Sequence, residues 1–408
     1  MISVAEALAH VTSGVRLLSA EQVGVAEALG RVLAEDVSSR VAYPPATVSA
    51  MDGYAVRAAD VAEAPATLRR IGESAAGAGF AGAVGPGETV RIFTGAPLPE
   101  GADAIVIQED TETEGDSVTM LESVAAGRFV RPAGLDFDKD QVLLSAGMVL
   151  SARDVGLAAA MNVPWLKVRR RPRIAHMATG NEVVMPGEPL GPDQIISSNS
   201  LALGAYVEAL GGEPINLGIA RDDEDSLRAI LAGARGADLL VTLGGASVGE
   251  YDLVRKVLGD EGLDLTFFKV AMRPGKPLVF GRLGDVPVLG LPGNPVSVGV
   301  TSVVFLKPAM EVMLGIRRAE GAAAGPPATA LLGRDLGEND RRQDYMRATL
   351  DVDGDGALVA TPFDAQDSAM MVGLARADCL VVRPPHAPPA KAGERVEIIR
   401  LRDGMISI

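Results

Sequence analysis

The sequence predicts a multidomain protein of α/β plus β class: a parallel α/β part, a β-rich inserted part, a helical or extended arm, and a C-terminal β part. Three observations carry that expectation. The 408 residues exceed what one ordinary core holds, so several domains are expected. From Arg173 onward, apolar runs of strand length alternate with helix-length stretches, the pattern of right-handed βαβ units and a helix-covered parallel sheet. Before and after that region, Gly and Pro cut the text into short apolar runs, as in β modules.

Taken in order, "MISVAEALAHVTSGVRLLSA" reads as an amphipathic helix containing Glu6 and His10. "VAEALGRVLAEDV" and "SARDVGLAAAMNV" read as helices of an arm built from residues 1–45 and 137–171. Inserted between them, residues 46–136 carry the strand-like "MDGYAVR", "ETVRIF", "ADAIVIQ" and "SVTML". In residues 172–320 the strands are "RIAHMATG", "EPINLGIA" and "ADLLVTLGG". Their helices are "SSNSLALGAYVEALGG", with Ser or Asn as N-cap and Gly211-Gly212 as its stop, "DEDSLRAILAGARG", with acids in its first turn, and "YDLVRKVLG". "PLVFGRL" and "VPVLGLPG" then precede the long helical "NPVSVGVTSVVFLKPAMEVMLG". "EGAAAGPPA" reads as a linker, and residues 321–408 as a β part whose hairpin turns at Asp353–Gly356.

The net charge of −15, from 38 basic and 53 acidic residues, excludes wholesale nucleic-acid binding and requires any anionic ligand to be captured by a local site. Cys379 is the only cysteine, so there is no intrachain disulfide and a reducing compartment fits. Three scattered histidines make no structural zinc site. There is no basic n-region and no run of about 18 apolar residues, so neither a signal peptide nor a membrane span is expected and the location is read as cytoplasmic.

Two near-motifs are rejected. "GAGFAG" (Gly77–Gly82) spells a dinucleotide fingerprint, which needs a strand before it and a helix after it, but sits among Ala/Gly/Pro turns of the β module. "DVDGDG" begins like a calcium loop but has Pro362 where a bidentate Glu is required. "VTLGGASVGEYD" (Val241–Asp252) has phosphate-loop glycine spacing without its lysine, which excludes NTP hydrolysis of that type. Its place after a parallel strand still favours a ligand. Gly244, Gly245 and Gly249 expose backbone amides, Ser247 adds a hydroxyl, and Asp252 either caps the next helix or faces the ligand. "ATGNEVV" places Glu182, and "ARDDED" places Asp222, at ends of strands in the same sheet. Each acid alone reads more readily as an N-cap than as a ligand; together Glu182, Asp222 and Asp252 favour a hard cation such as Mg2+. Lys269, Arg273 and Lys276 surround a Pro-Gly turn and suit a small oxyanion or phosphate. In "LPGNPVS", Pro292 and Pro295 stiffen the turn around Gly293 and Asn294.

"SAMDGYAVR", "RIFTGAPLPEGADAIVIQED", "VRPAGLD", "ATGNEV", "GGASVGEYD", "MRPGKPLVFG" and "LPGNPVS" follow one another in an order that resembles the MoeA-type molybdopterin molybdenumtransferases, relatives of the gephyrin E domain. The resemblance implies an elongated homodimer of four-part subunits, with the cleft completed by a neighbouring subunit, and transient contact with other cofactor-biosynthesis proteins. It implies substrates molybdate and adenylylated molybdopterin, Mg2+, and release of AMP. By motif, Asp52, Thr94, Asp136, Glu182, Asp222 and Asp252 correspond to functional positions, as do Lys269, Arg273, Pro292, Pro295, Arg347 and, in a C-terminal contact, Ser368. The chain departs from the pattern at Asn181, at Arg273, after Asp136, and at Val372-Gly373. The rival expectation is a non-catalytic molybdopterin-binding or scaffolding protein, which would bind the pterin without releasing AMP.

Overall fold

The computed structural model describes residues 1–244, 251–317, 328–403 and 406–407, with backbone alone for 251–255, 402–403 and 406–407. The first helix, Val4–Gly14, starts at a reciprocal box in which Ser3 Oγ accepts from the Glu6 amide and the Glu6 carboxylate accepts from the Ser3 amide. It is shorter than the expected helix, because Val15 is already extended. The helix expected in "VAEALGRVLAEDV" is a single 3-10 turn, Val25–Glu27. Gly30 takes φ +71 beyond it, and Val32 and Leu33 are drawn into bridges with Val149 and Val168. Burial of Leu33 with Leu144, Leu150 and Leu166 outweighs the helical propensity of that stretch. Helix Ala152–Ala160 forms as expected behind its own Ser151–Asp154 capping box.

The inserted region forms a six-stranded sheet in the order Ala104–Ile107, Gly53–Val56, Glu88–Ile92, Ala66–Ser74, Ser117–Met120, Thr111–Glu114. The α/β sheet also has six strands, ordered Glu213–Ala220, Arg173–Thr179, Leu239–Leu243, Val286–Leu291, Val279–Leu283, Leu263–Phe268. The first four are parallel. The last two are added through antiparallel pairings, a departure from the parallel sheet expected, since the tight turn at Gly284-Asp285 leaves no room for a crossover helix. Alternate side chains feed two cores: Leu239, Val241 and Leu243 pack with Leu203, Val207 and Phe305, while Leu240 packs with Leu227, Leu231 and Val257. Period-two alternation thus buries both faces under helices.

The helical stretch Pro295–Leu314 is apolar and long enough to cross a membrane, yet 72% of its apolar window is buried inside the protein. It is a core helix, widened into a π segment at Ser302–Leu306 just ahead of Pro308, whose missing N–H would interrupt an ordinary α ladder. The C-terminal strands Gln343–Val352, Leu358–Pro362, Ala328–Leu332, Arg395–Arg400 and Cys379–Arg383 close into a barrel, because the last also pairs with the first. The hairpin turn falls at Asp353, whose Oδ1 accepts from the amides of Asp355 and Ala357. "GAGFAG" lies between strands Ala66–Ser74 and Glu88–Ile92, with no helix after it. Most of the expected linker lies outside the described residues.

Asp238 joins arm to sheet. Its carboxylate, 5% exposed, takes two 2.6 Å bonds from Arg170 and a 2.9 Å bond from the Arg173 amide. Asp238→Ala is expected to cost about 2 kcal/mol, read as a lower urea midpoint; an unchanged midpoint would contradict it. His176, in the second strand of the sheet, is 1% exposed, and neither ring nitrogen has a partner among the described residues. Burial pushes its pKa below the ordinary value, with nearby backbone of Ile174 and Ser200 offsetting part. The unfolded chain therefore takes up the proton first, so stability is undiminished above about pH 6.5 and falls as the pH drops below it. His176→Leu is expected to flatten the drop in melting temperature between about pH 7 and about pH 5; an identical slope would refute the assignment.

Candidate active site

The carboxyl edge of the parallel strands opens into a cavity of about 770 Å³. Thr179 and Glu182 line it from the strand Arg173–Thr179, Gly244 from Leu239–Leu243, and Pro292, Gly293, Asn294 and Pro295 from Val286–Leu291. The loop Met272–Pro277 forms another wall, and Arg342, Gln366 and Ser368 reach in from the C-terminal barrel. Of the residues singled out in the sequence, Glu182, Gly244, Arg273, Lys276, Pro292, Gly293, Asn294, Pro295 and Ser368 therefore meet in one place.

The turn at Pro292–Pro295 is held on both sides. Pro295 occupies the first turn of its helix, where a missing N–H costs nothing. Asn294, at the N-cap, donates through Nδ2 to Ser368 Oγ at 2.7 Å. Asn199 donates through Nδ2 to the Gly293 carbonyl, also at 2.7 Å. Neither Ser198 nor Asn199 supplies the side-chain cap expected for helix Asn199–Ala209; the asparagine amide is spent on the turn instead. Sequence reasoning passed over Asn199, Gln366 and Arg342; only the paired arginines of "DRRQD" hinted at the last.

Asp222 sits beside the cavity rather than in its lining. Its carboxylate accepts from the Asn181 amide at 3.1 Å, and its own amide donates to Asn181 Oδ1 at 3.2 Å. This exchange holds Asp222 next to the residue preceding Glu182. Among the described residues no three His, Cys, Asp or Glu side chains gather as a metal cluster. Gly245, Ser247 and Gly249 lie outside the described residues. Asp252 falls on helix Tyr251–Asp260, with its side chain outside them too.

The basic residues divide. Lys269 adopts φ +76 and places its ammonium 4.4 Å from the centre of the Phe268 ring, outside the cavity lining. Arg273 donates to Asp344, and at 3.4 Å to Asp340 and to Asn339. Burial raises the Asp344 pKa and the Arg273 contact offsets part of that rise. Hydrogen bonds from Arg342, side chain and backbone, hold Asp340 well below the usual carboxylate range. Lys276 is exposed and carries no ion pair among the described residues.

Asp52, Thr94 and Asp136 are exposed and do not line this cavity. Asp52 Oδ1 accepts from the Thr94 amide at 2.7 Å and from its hydroxyl at 2.8 Å, which holds its pKa below the ordinary value. The Asp136 amide donates to the Tyr43 carbonyl. Arg347, expected at the ligand, is 1% exposed and points its donors at protein carbonyls.

Fold and cavity together define a multidomain α/β protein with a cleft, lined in part by basic side chains, at the carboxyl edge of its sheet and walled on one side by a β barrel. Three family models match in succession: the MoeA N-terminal region (domain I and II) over residues 2–162, a probable molybdopterin binding domain over 175–312, and the MoeA C-terminal region (domain IV) over 329–401. The chain is 36% identical to a molybdopterin molybdenumtransferase of Nostoc sp., covering 93% of this chain and 88% of the relative. It is 33% identical to one from Haemophilus influenzae, covering 93% of each. A crystal structure of a molybdopterin biosynthesis MoeA protein from Pyrococcus horikoshii superposes with TM-score 0.85 at 32% identity, over 99% of this chain and 100% of that one. The chain belongs to the MoeA-type molybdopterin molybdenumtransferase family.

Gly275 lets the basic loop pass close to the long helix. It holds φ +108, and a Cβ there would lie 2.6 Å from Thr301 Cγ2. Gly275→Ala is expected to destabilise by about 1–3 kcal/mol and to displace Lys276. Unchanged melting together with unchanged activity would count against this loop as a built element of the site.

Proposed function

We propose that this chain is an enzyme of molybdenum cofactor biosynthesis that inserts molybdate into adenylylated molybdopterin and releases AMP. The observation that carries the reading is the polarity of the cavity. Lys276, Arg273 and Arg342 line it, the two arginines meeting at Asp340, and Ala178, Val183, Ile195 and Ile196 add apolar surface to the same lining. A ligand with a flat ring and an anionic end matches that combination. The rigid turn Pro292–Pro295 and the loop beginning at Gly244, with Gly245, Ser247 and Gly249, would hold the phosphate and pterin.

Lys276, without a carboxylate partner among the described residues, is the cation freest to meet the incoming oxyanion. Arg273, already engaged by two carboxylates, orients the loop that carries it. Mg2+ takes one or two carboxylates and keeps the rest of its shell for water and substrate phosphate, and Glu182 and Asp222 are a donor set of that kind, with Asp252 as the third candidate. When bound, the ion would neutralise charge on the phosphate oxygens. Asp52, Thr94 and Asp136 are exposed and outside the lining, and a homodimer that sets the inserted sheet of one copy over the cavity of another would give them a place at the reaction.

The test is to incubate the purified protein with adenylylated molybdopterin, molybdate and Mg2+ and follow nucleotide and metal in the pterin product. AMP release that depends on molybdate is expected, and Lys276→Ala should raise the KM for molybdate about tenfold. Pterin binding with no AMP release would overturn the reading in favour of a non-catalytic binding or scaffolding protein.

A further inference from the structure

We propose that Arg347 is a positioning residue: its guanidinium is the post around which residues 363–370 are wound, and through them it sets Ser368 against the Pro292–Pro295 turn. The inference rests on the function proposed above for its kinetic readout, and on geometry alone for its structural one.

Arg347 is among the largest fully buried side chains of the protein. No carboxylate contacts its guanidinium among the described residues. Its Nη1 donates to the Met370 carbonyl at 3.0 Å, and its Nη2 to the Asp367 carbonyl at 3.0 Å and the Ala365 carbonyl at 3.3 Å. Its backbone amide donates to Gln366 Oε1 at 3.0 Å, and Gln366 Nε2 returns a 2.9 Å bond to the Arg347 carbonyl. A buried cation is tolerated only where its donors are satisfied, and here an irregular segment supplies the acceptors. That segment lacks strand or helix up to Met371, so its path is set by bonds of this kind, with Arg334 also donating to the Phe363 carbonyl at 2.9 Å at its start.

The outer side of the same segment grips the cavity wall. Ser368 Oγ accepts from Asn294 Nδ2 at 2.7 Å, and the Ser368 carbonyl accepts from the Val296 amide at 3.1 Å. Gln366, Ser368 and Ala369 line the cavity while Arg347 does not. The guanidinium also has no slack: a Cβ at Gly373 would lie 3.0 Å from Nη1. A side chain that touches no ligand thus determines where two cavity-lining side chains stand.

The experiment compares full-length wild type, Arg347→Lys, Ser368→Ala and the double variant. The readouts are AMP release from adenylylated molybdopterin with molybdate and Mg2+, and hydrogen exchange at the Val296 amide. Lysine keeps the charge but cannot reach three carbonyls in a plane. Arg347→Lys should raise the KM for the pterin about tenfold with kcat changed less than about twofold, and should speed Val296 exchange. In the Ser368→Ala background it should add less than about a twofold further loss, because both changes remove one unit. Gly373→Ala, which suits its helix, presses on Nη1 from outside and should shift KM and Val296 exchange in the same direction. Multiplicative losses in the double variant, or Val296 exchange that Arg347→Lys leaves unchanged, would overturn the assignment. Wild-type protein that releases no AMP would sink the functional reading alone, and Val296 exchange would still decide the positioning.

Discussion

A two-residue seam organises the site. Met272 and Arg273 pair in parallel register with Gln343 and Asp344, so a short piece of the α/β part is counted among the strands of the C-terminal barrel sheet. On its other side the same loop is clipped by the chain's beginning, where Ile2 donates to the Lys269 carbonyl and accepts from the Ala271 amide. Backbone bonds are directional and costly to leave unmade when buried. Once they form, the barrel has one place to stand, and the segment carrying Gln366 and Ser368 must face the Pro292–Pro295 turn.

The seam also decides which charges remain for a ligand. In a chain of net charge −15, the field at large repels anions, so capture rests on a few cations whose own partners do not cancel them. Arg273 lies where the seam needs neutralising, and its planar fork spans Asp344 and Asp340 together. Arg342 is tied to Asp340 in turn. Lys276, two residues past the cis Arg273-Pro274 bond, lines the cavity with no carboxylate partner among the described residues. The architecture therefore separates a cation that assembles the cleft, Arg273, from one that has no carboxylate partner among the described residues, Lys276.

Rigidity at the other wall arises from side-chain amides doing what caps do elsewhere. Asn199 and Asn294 both head helices, yet neither caps its own. Each reaches across to a different loop, Asn199 to Gly293 and Asn294 to Ser368. The helix starts are thereby tied to the cavity-lining turn rather than to themselves.

Local physics made most elements legible. Strand and helix periods identified the α/β part, because its residues face two cores and a wrong period would expose them, and Pro and Gly marked the rigid turn and the loop at Gly244. Gly244 and the basic "MRPGK" loop were legible as neighbours at the carboxyl edge of the sheet, where both line the cavity, since those features act over a few residues. Two of the failures share a cause. "VAEALGRVLAEDV" is helical by propensity but extended in fact, because its partners, Val149 and Val168, lie far along the chain. Asp222 and Glu182 were legible as strand-end acids, but whether Arg347 meets a ligand or a ring of carbonyls depends on a segment some twenty positions away folding over it. Sequence alone determined which side chains were available and which stretches could be strands, because those follow from neighbours in the chain. Tertiary structure alone decided which cations stay unpaired and which polar groups are buried, because both depend on contacts between residues that are close only after folding.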